Sequence, residues 1–220
     1  MMTDDPALAI RTDIVRLGYR LCDLGLAPGS SGNISARLAD GRIIMTPTNS
    51  RLGDLDVERL SVLAPDGGRI AGDPPSKEEF LHRAVYDARP GAHAIVHLHA
   101  THSAAVSCMD GLDPSDCLPP LTAYHVMKVG RLPLIPYHRP GDPALADQIG
   151  SMASANAAIL LANHGPIVAG KSLAEAANAI EELEETAKLF LLLRGTPTRP
   201  LNATQIEELH RVFGAPGGAQ

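Results

Sequence analysis

A mixed α/β or α+β domain is the fold class this sequence predicts. Apolar residues recur at helical spacing in several stretches, short runs of strand-forming residues lie between them, and no repeat or dividing linker interrupts the 220 residues. That length is enough to bury a substantial core, so residues 1–220 are expected to form a single domain, with a frayed tail from about 214.

The first helix is expected over about Thr12 to Leu24, where Ile14, Leu17, Leu21 and Leu24 share a face and Gly25 suits the stop. A small-residue loop, Pro28 to Asn33, precedes a hairpin of Ile34–Arg37 and Arg42–Thr46 about a two-residue Asp40-Gly41 turn. Short strands are expected at Ser61–Ala64 and Arg69–Ile70. Ser76-Lys77-Glu78-Glu79 fits a capping box and predicts a helix from Ser76, with Phe80, Ala84 and Val85 inward and Pro90-Gly91 ending it. Further strands are expected at Ala92–Ala100, Leu132–Tyr137, Ala157–Leu161 and Pro166–Ala169. Ser172-Leu173-Ala174-Glu175, a second capping box, opens the longest helix, to about Leu193. Its stripe of Ile180, Leu183, Ala187 and Phe190 should be buried, and the acids Glu181, Glu182, Glu184 and Glu185 should form a solvated face. A last helix is expected over Ala203–Val212.

Composition narrows the function classes. Hydrophobic residues at 45% and charged residues at 20% suit a soluble globular protein, and with 3% aromatics and no Trp the core rests on aliphatic side chains. A net charge of −6 argues against nucleic acid as partner, which requires a basic face, but permits a small phosphate ester held by local donors. The acidic N-terminus, Met1 to Pro6, has no signal-peptide pattern, and no apolar run could span a membrane. Cys22, Cys108 and Cys117 lack metal-type spacing and read as reduced thiols of a cytoplasmic protein.

The segment from His93 to Ala100 has an unusual composition for a strand. Along an extended chain His97 and His99 project to one side, roughly 7 Å apart along the backbone, while Val96, Leu98 and Ala100 face the core. Two such imidazoles can converge on a cation, or simply occupy a wet face; taken alone the pattern fits both. His164 follows a second apolar strand, in the turn Asn163-His164-Gly165-Pro166, and three neutral imidazoles would leave open positions on a catalytic ion. Spacing leaves His93, His102, His125, His138 and His210 as competitors. Glu78 is a fourth candidate, although an acid in a first helical turn is favoured by the helix dipole whatever else it does.

Three segments are suited to an anion. Ser31-Gly32-Asn33 offers a glycine-hinged run of amides, Thr46 to Ser50 offers hydroxyls and amides after a strand, and Ser76-Lys77 adds a helix start and a cation. Each is also an ordinary turn or cap, so the case depends on their meeting in space.

In order, Gly32-Asn33-Ile34-Ser35, Thr46-Pro47-Thr48, Pro75-Ser76-Lys77-Glu78, His97-Leu98-His99 and Asn163-His164-Gly165 resemble the class II aldolase/adducin family, from about Arg11 to Phe213. The resemblance implies a three-layer α/β/α sandwich about a mostly antiparallel sheet, and a homotetramer. It implies one divalent metal ion per subunit, zinc or else manganese, cobalt or iron, held by His97, His99 and His164 with Glu78 beside it as acid/base. It also implies a phosphate cradle of Gly32, Asn33, Thr48, Asn49, Ser76 and Lys77. Asn49 and Lys77 stand where family aldolases often carry Gly and Ser.

A narrower set extends the likeness: Arg139-Pro140-Gly141-Asp142, Leu161 to Pro166 and Glu181 to Lys188 are similar to the branch of the family that decarboxylates 3-oxo-tetronate 4-phosphate. The implied reaction releases carbon dioxide and yields dihydroxyacetone phosphate, with Glu78 returning or relaying a proton. Tyr124 is a second candidate acid, by likeness to a tyrosine that related aldolases take from an adjacent subunit, against the plainer expectation of a buried tyrosine. Arg139 could meet the substrate carboxylate but is left outside the expected site. The alternatives are an aldolase or 4-epimerase of a ketose phosphate, and a non-catalytic adducin-type interaction module.

Overall fold

The structure is a computed structural model, and it describes residues 6–139 and 141–216. The start of the acidic N-terminal segment and the end of the glycine-rich tail, residues 217–220, lie outside these, as does Pro140. Eight strands join in one sheet: β1 (Asn33–Arg37), β2 (Ile43–Met45), β3 (Ser61–Leu63), β4 (Arg69–Ala71), β5 (Ala94–His97), β6 (Leu134–Ile135), β7 (Ala158–Leu161) and β8 (Gly165–Gly170). Their order is β4-β3-β2-β1-β5-β8-β7-β6, with every pairing antiparallel except β6 with β7.

Alternation along the strands divides the core in two. Ile34, Ala36, Ala94, Val96, Leu160 and Val168 face one side, against helices α1 (Pro6–Asp23), α3 (Thr101–Ser107) and α6 (Leu173–Leu192). Ile43, Met45, Ile95, Ile159, Leu161 and Ile167 face the other, against α2 (Glu79–Ala88) and α5 (Ala144–Ala153). The three-layer α/β/α sandwich is therefore what the chain forms. Two further helices, α4 (Ala123–Lys128) and α7 (Ala203–Phe213), pack on each other and α4 also meets α6. Among the described residues no helix is long and apolar enough to cross a membrane.

Several local expectations are corrected. The first hairpin turns through a three-residue loop, Ala39-Asp40-Gly41, not a two-residue one: Leu38 N–H donates to the Arg42 carbonyl, and Gly41 takes φ +84°. α1 begins at Pro6, and Leu24 lies beyond its end, exposed. α2 begins at Glu79, with no capping box at Ser76; its fully buried residues are Leu81, His82, Val85 and Tyr86, and Phe80 and Ala84 pack partly buried against the same core. At α6, Ser172 accepts from Glu175 N–H, but the Glu175 carboxylate reaches Lys171 N–H, so only half of the expected box forms. The capping box that does form is Asn202–Gln205, at α7. Helices α3, α4 and α5 lie in stretches for which the sequence reading assigned no element.

Candidate metal centre

The ends of β1, β5 and β8 meet beside the start of α2. Asn33 is paired opposite His97 in the β1–β5 ladder, and His97 opposite Ile167 in β5–β8. β5 ends at His97, so His99 stands just past the strand, but the alternation persists: Leu98 and Ala100 are buried in the core while both histidines turn to the other side. The turn from β7 to β8 carries His164, steadied by Asn163 at φ +56° and by two bonds to the end of α3: Asn163 N–H to the Ser107 carbonyl and His164 N–H to Ser107 Oγ. Gly165 is required there, because a Cβ would fall against the Leu98 carbonyl. At Gly32, with φ +81°, a Cβ would lie 2.8 Å from the His97 carbonyl oxygen.

The three Nε2 atoms form a triangle. His97–His99 is 3.0 Å, His97–His164 is 3.2 Å and His99–His164 is 2.8 Å. One Glu78 oxygen lies 3.4 Å from His97 Nε2 and the other 3.2 Å from His164 Nε2. Among the described residues these four side chains are the group whose ligand atoms all lie within 4.8 Å of one another. The competing histidines are elsewhere: His93 is exposed, His125 is buried in α4, His210 lies on α7, and His102 and His138 pair with Glu184 and Asp142.

Whether this donor set fits a cation follows from hydrogen positions. His97 Nδ1 is 2.9 Å from the Pro166 carbonyl oxygen, which only accepts, so Nδ1 carries the hydrogen and Nε2 presents a bare lone pair. Burial lowers the His97 pKa, with Glu78 opposing. Burial and then the neighbouring rings hold His99 down to about 3. Both are neutral at pH 7, the form that binds a metal. Tetrahedral bonds of about 2.0–2.1 Å place nitrogens about 3.3 Å apart, close to the observed triangle. Lone pairs directed at a common point repel, and a divalent cation relieves that repulsion. The residues fit one.

Glu78 is half-buried at the residue preceding α2. Burial works against its charge; with the His97 ring neutral, the Asn33 amide that donates to it is what favours the carboxylate. Asn33 Nδ2 donates to Glu78 Oε2 at 2.7 Å and to Ser76 Oγ at 3.2 Å.

The three anion-suited segments come together. Thr48 N–H donates to the Pro74 carbonyl and Ser76 N–H to the Thr46 carbonyl, laying these two loops side by side, while Asn33 ties the first segment to Ser76. Asn49 adopts φ +58°, a conformation that Asn tolerates better than other residues with a Cβ, which accounts for its standing in a glycine's place. Lys77 is exposed. Both Asn33 amide hydrogens are engaged, on Ser76 and Glu78. Tyr124, on α4, is 59% exposed, correcting the expectation of a buried tyrosine, and Arg139 is exposed too. Among the described residues neither has a hydrogen bond to the histidine–glutamate group.

Sequence reasoning missed two residues. His82, buried on α2, has its Nε2 2.5 Å from Asn33 Oδ1 and its Nδ1 2.7 Å from Ser35 Oγ. Glu184 is buried, not part of a solvated face: its carboxylate accepts from the backbone N–H groups of His102 and Ser103 at the start of α3 and lies 2.8 Å from His102 Nδ1. A carboxylate at that helix end satisfies orphan donors and the dipole together. The spacing that places Glu184 beside Leu183 on the inner side of α6 was a usable signal; His82 had none beyond its place on the buried face of α2.

Residues 12–191 match the family of class II aldolase and adducin N-terminal domains. The chain is 50% identical over 201 residues to the 3-oxo-tetronate 4-phosphate decarboxylase of Escherichia coli K12, covering 91% of this chain and 95% of that protein. It is 48% identical over 208 residues to the enzyme of the same name from Haemophilus influenzae, covering 94% and 98%. The crystal structure of YgbL from Escherichia coli superposes with a TM-score of 0.91 at 48% identity, over 93% of this chain and 99% of that one.

Proposed function

Because the chain belongs to the class II aldolase and adducin family, we propose that it is a metal-dependent carboxy-lyase converting 3-oxo-tetronate 4-phosphate into dihydroxyacetone phosphate and carbon dioxide. The observation that carries this reading is the near-full-length identity to decarboxylases of that substrate. The histidine triangle with its adjacent carboxylate supports it, since a non-catalytic module has no need of that donor set.

In this reaction the bond between the carboxylate carbon and C2 breaks, its electron pair moves toward the C3 ketone oxygen, and a proton then adds at C2. A divalent ion held by His97, His99, His164 and Glu78 supplies, when bound, a Lewis acid for charge on that oxygen. Zinc suits the nitrogen-rich, near-tetrahedral donor set. Pro166 fixes the His97 tautomer through its carbonyl, and Ser107 fixes the backbone of His164. Glu78 relays the proton that adds at C2, taking it up on a carboxylate oriented by Asn33.

The phosphate end is assigned to Gly32, Thr48, Asn49, Ser76 and Lys77, with Asn33 acting on it through Ser76. Binding there orients the scissile bond from a distance. Tyr124, exposed on α4, is assigned as a second acid, supplied to a neighbouring subunit's site in a homotetramer working in the cytoplasm. Incubating purified protein with 3-oxo-tetronate 4-phosphate and measuring carbon dioxide and dihydroxyacetone phosphate tests the reading. Aldehyde release or epimerisation from a panel of ketose phosphates, with no carbon dioxide from the keto acid, overturns it.

A further inference from the structure

Behind Glu78 a row of buried polar groups runs into the layer between α2 and the sheet. Tyr86 OH lies 2.8 Å from Ser35 Oγ, Ser35 Oγ lies 2.7 Å from His82 Nδ1, and His82 Nε2 lies 2.5 Å from Asn33 Oδ1. Ser35, His82 and Tyr86 are 2% exposed or less, and Asn33 is 3% exposed. No water reaches such a row to repair a mismatched donor or acceptor, so its hydrogens must all agree.

One charge decides them. The Glu78 carboxylate only accepts, so the Asn33 atom facing it, at 2.7 Å, is the NH2 group. Asn33 Oδ1 therefore faces His82, and His82 Nε2 must carry the hydrogen. Burial holds His82 down to about 3, so its ring is neutral and its Nδ1 must accept. Ser35 donates to that nitrogen, leaving its own lone pair for the Tyr86 hydroxyl. Hydrogen-bond donation runs one way, Tyr86 to Ser35 to His82 to Asn33 to Glu78. Reversing the Asn33 amide would set its oxygen against the carboxylate.

We propose that His82 is a positioning residue that locks the Asn33 amide in the one orientation that donates to both Glu78 and Ser76, so that the acid is aimed at the histidine triangle and the substrate-side hydroxyl is held together with it. The row beyond His82 selects its tautomer. Partners of this kind, one bond removed from a metal or an acid, typically govern about 10–100-fold in affinity or activity. The activity part of this inference rests on the proposed decarboxylase reading; the metal part does not.

The experiment compares two amides in place of the ring. In His82→Gln the terminal amide occupies the position of Nε2 and can still donate to Asn33. In His82→Asn it reaches only the position of Nδ1 and leaves Asn33 Oδ1 without a donor. Zn2+ affinity is measured by competition with a chelator, kcat and KM on 3-oxo-tetronate 4-phosphate, and thermal stability for each full-length variant. Expected is a loss in His82→Asn of about 10-fold or more in Zn2+ affinity or in kcat, while His82→Gln stays within about 3-fold of wild type at a comparable melting temperature. Equal losses in the two variants, or none in either, overturn the inference. Should wild type bind Zn2+ without turning over the keto acid, the decarboxylase reading fails while the affinity comparison still decides the role of His82. A wild type that takes up no Zn2+ sinks both.

Discussion

His97 Nε2 lies 3.2 Å from His164 Nε2, although 67 residues separate the two in the chain. The β5–β8 pairing creates this closeness. It sets His97 opposite Ile167, and the same register brings the Pro166 carbonyl to His97 Nδ1, so the strand that His164 leads into also orients its partner ring. A ligand pair made by adjacent strands is as rigid as the ladder beneath it.

Removing one corner of the triangle should therefore abolish the site without unfolding the protein. His164 sits in a half-buried turn, and its ring meets His97, His99 and Glu78. His164→Ala is expected to lose more than about 100-fold in Zn2+ affinity, beyond the range of outer partners, and to melt within a few degrees of wild type. Metal content after dialysis, set beside a melting curve, checks both halves. Retention of stoichiometric metal counts against the triangle as the binding site.

Glu78→Gln keeps the size of the side chain and removes its charge and its ability to take a proton. If the carboxylate handles the proton that returns to C2, kcat for carbon dioxide release should fall by about 10²–10⁴-fold. Decarboxylation at the wild-type rate would refute that role.

How much of this centre was legible in the sequence depends on where each residue's partners lie. His97-Leu98-His99 showed itself through alternation, a local property that survived even though β5 ends at His97. His164 was readable as a polar residue in a tight turn after an apolar run. Glu78 was attributed to the first turn of a helix from Ser76, whereas the helix begins at Glu79; its significance comes from Asn33, 45 positions away. His82 was unreadable because its partners, Asn33 and Ser35, belong to β1 rather than to its own helix, and nothing in a helix pattern separates a buried histidine from a surface one. The helices α3, α4 and α5 were missed because they are short or lie in proline-rich stretches, where tertiary packing rather than propensity stabilises them.

Glu184 tests how the His99 segment is held. Its carboxylate satisfies two N–H groups at the start of α3, just after His99, one part-buried and one buried, and Glu184→Ala removes the acceptor of both. The cost should be about 1–3 kcal/mol, or roughly 3–10 °C in melting temperature for a chain of this size. A melting temperature unchanged from wild type would show that the cap contributes nothing.

Stability should also decline as the solution becomes acidic. Burial depresses His82 from 6.5 to about 3 and His125 from 6.5 to about 4. Below pH 6.5 the unfolded chain binds protons that the folded chain refuses, so stability is full above that pH and is lost as pH falls toward the folded values. At pH 5 each histidine should remove about 2 kcal/mol, taking about 1.4 kcal/mol per pH unit. Denaturant unfolding at pH 7.5, 6 and 5 measures the slope, which should be shallower in His125→Phe. A flat profile through that window would mean that these rings protonate freely in the folded protein.

Gly165 offers a test of the site's geometry that touches no ligand. It begins β8 immediately after His164, and a methyl group there would press on the Leu98 carbonyl and approach His99 Cα at 3.3 Å. The strand must move away or the segment between the two β5-side histidines must give, and either shift widens a triangle whose sides are 2.8–3.2 Å. Ligand bonds to a small ion tolerate only about 0.2 Å. Gly165→Ala is therefore expected to lose Zn2+ affinity by at least about 10-fold while every coordinating side chain remains, and the loss should be larger than its effect on unfolding alone explains. If the variant binds Zn2+ as wild type does, the ladder is more compliant than its packing implies, and the rings rather than the backbone set the geometry.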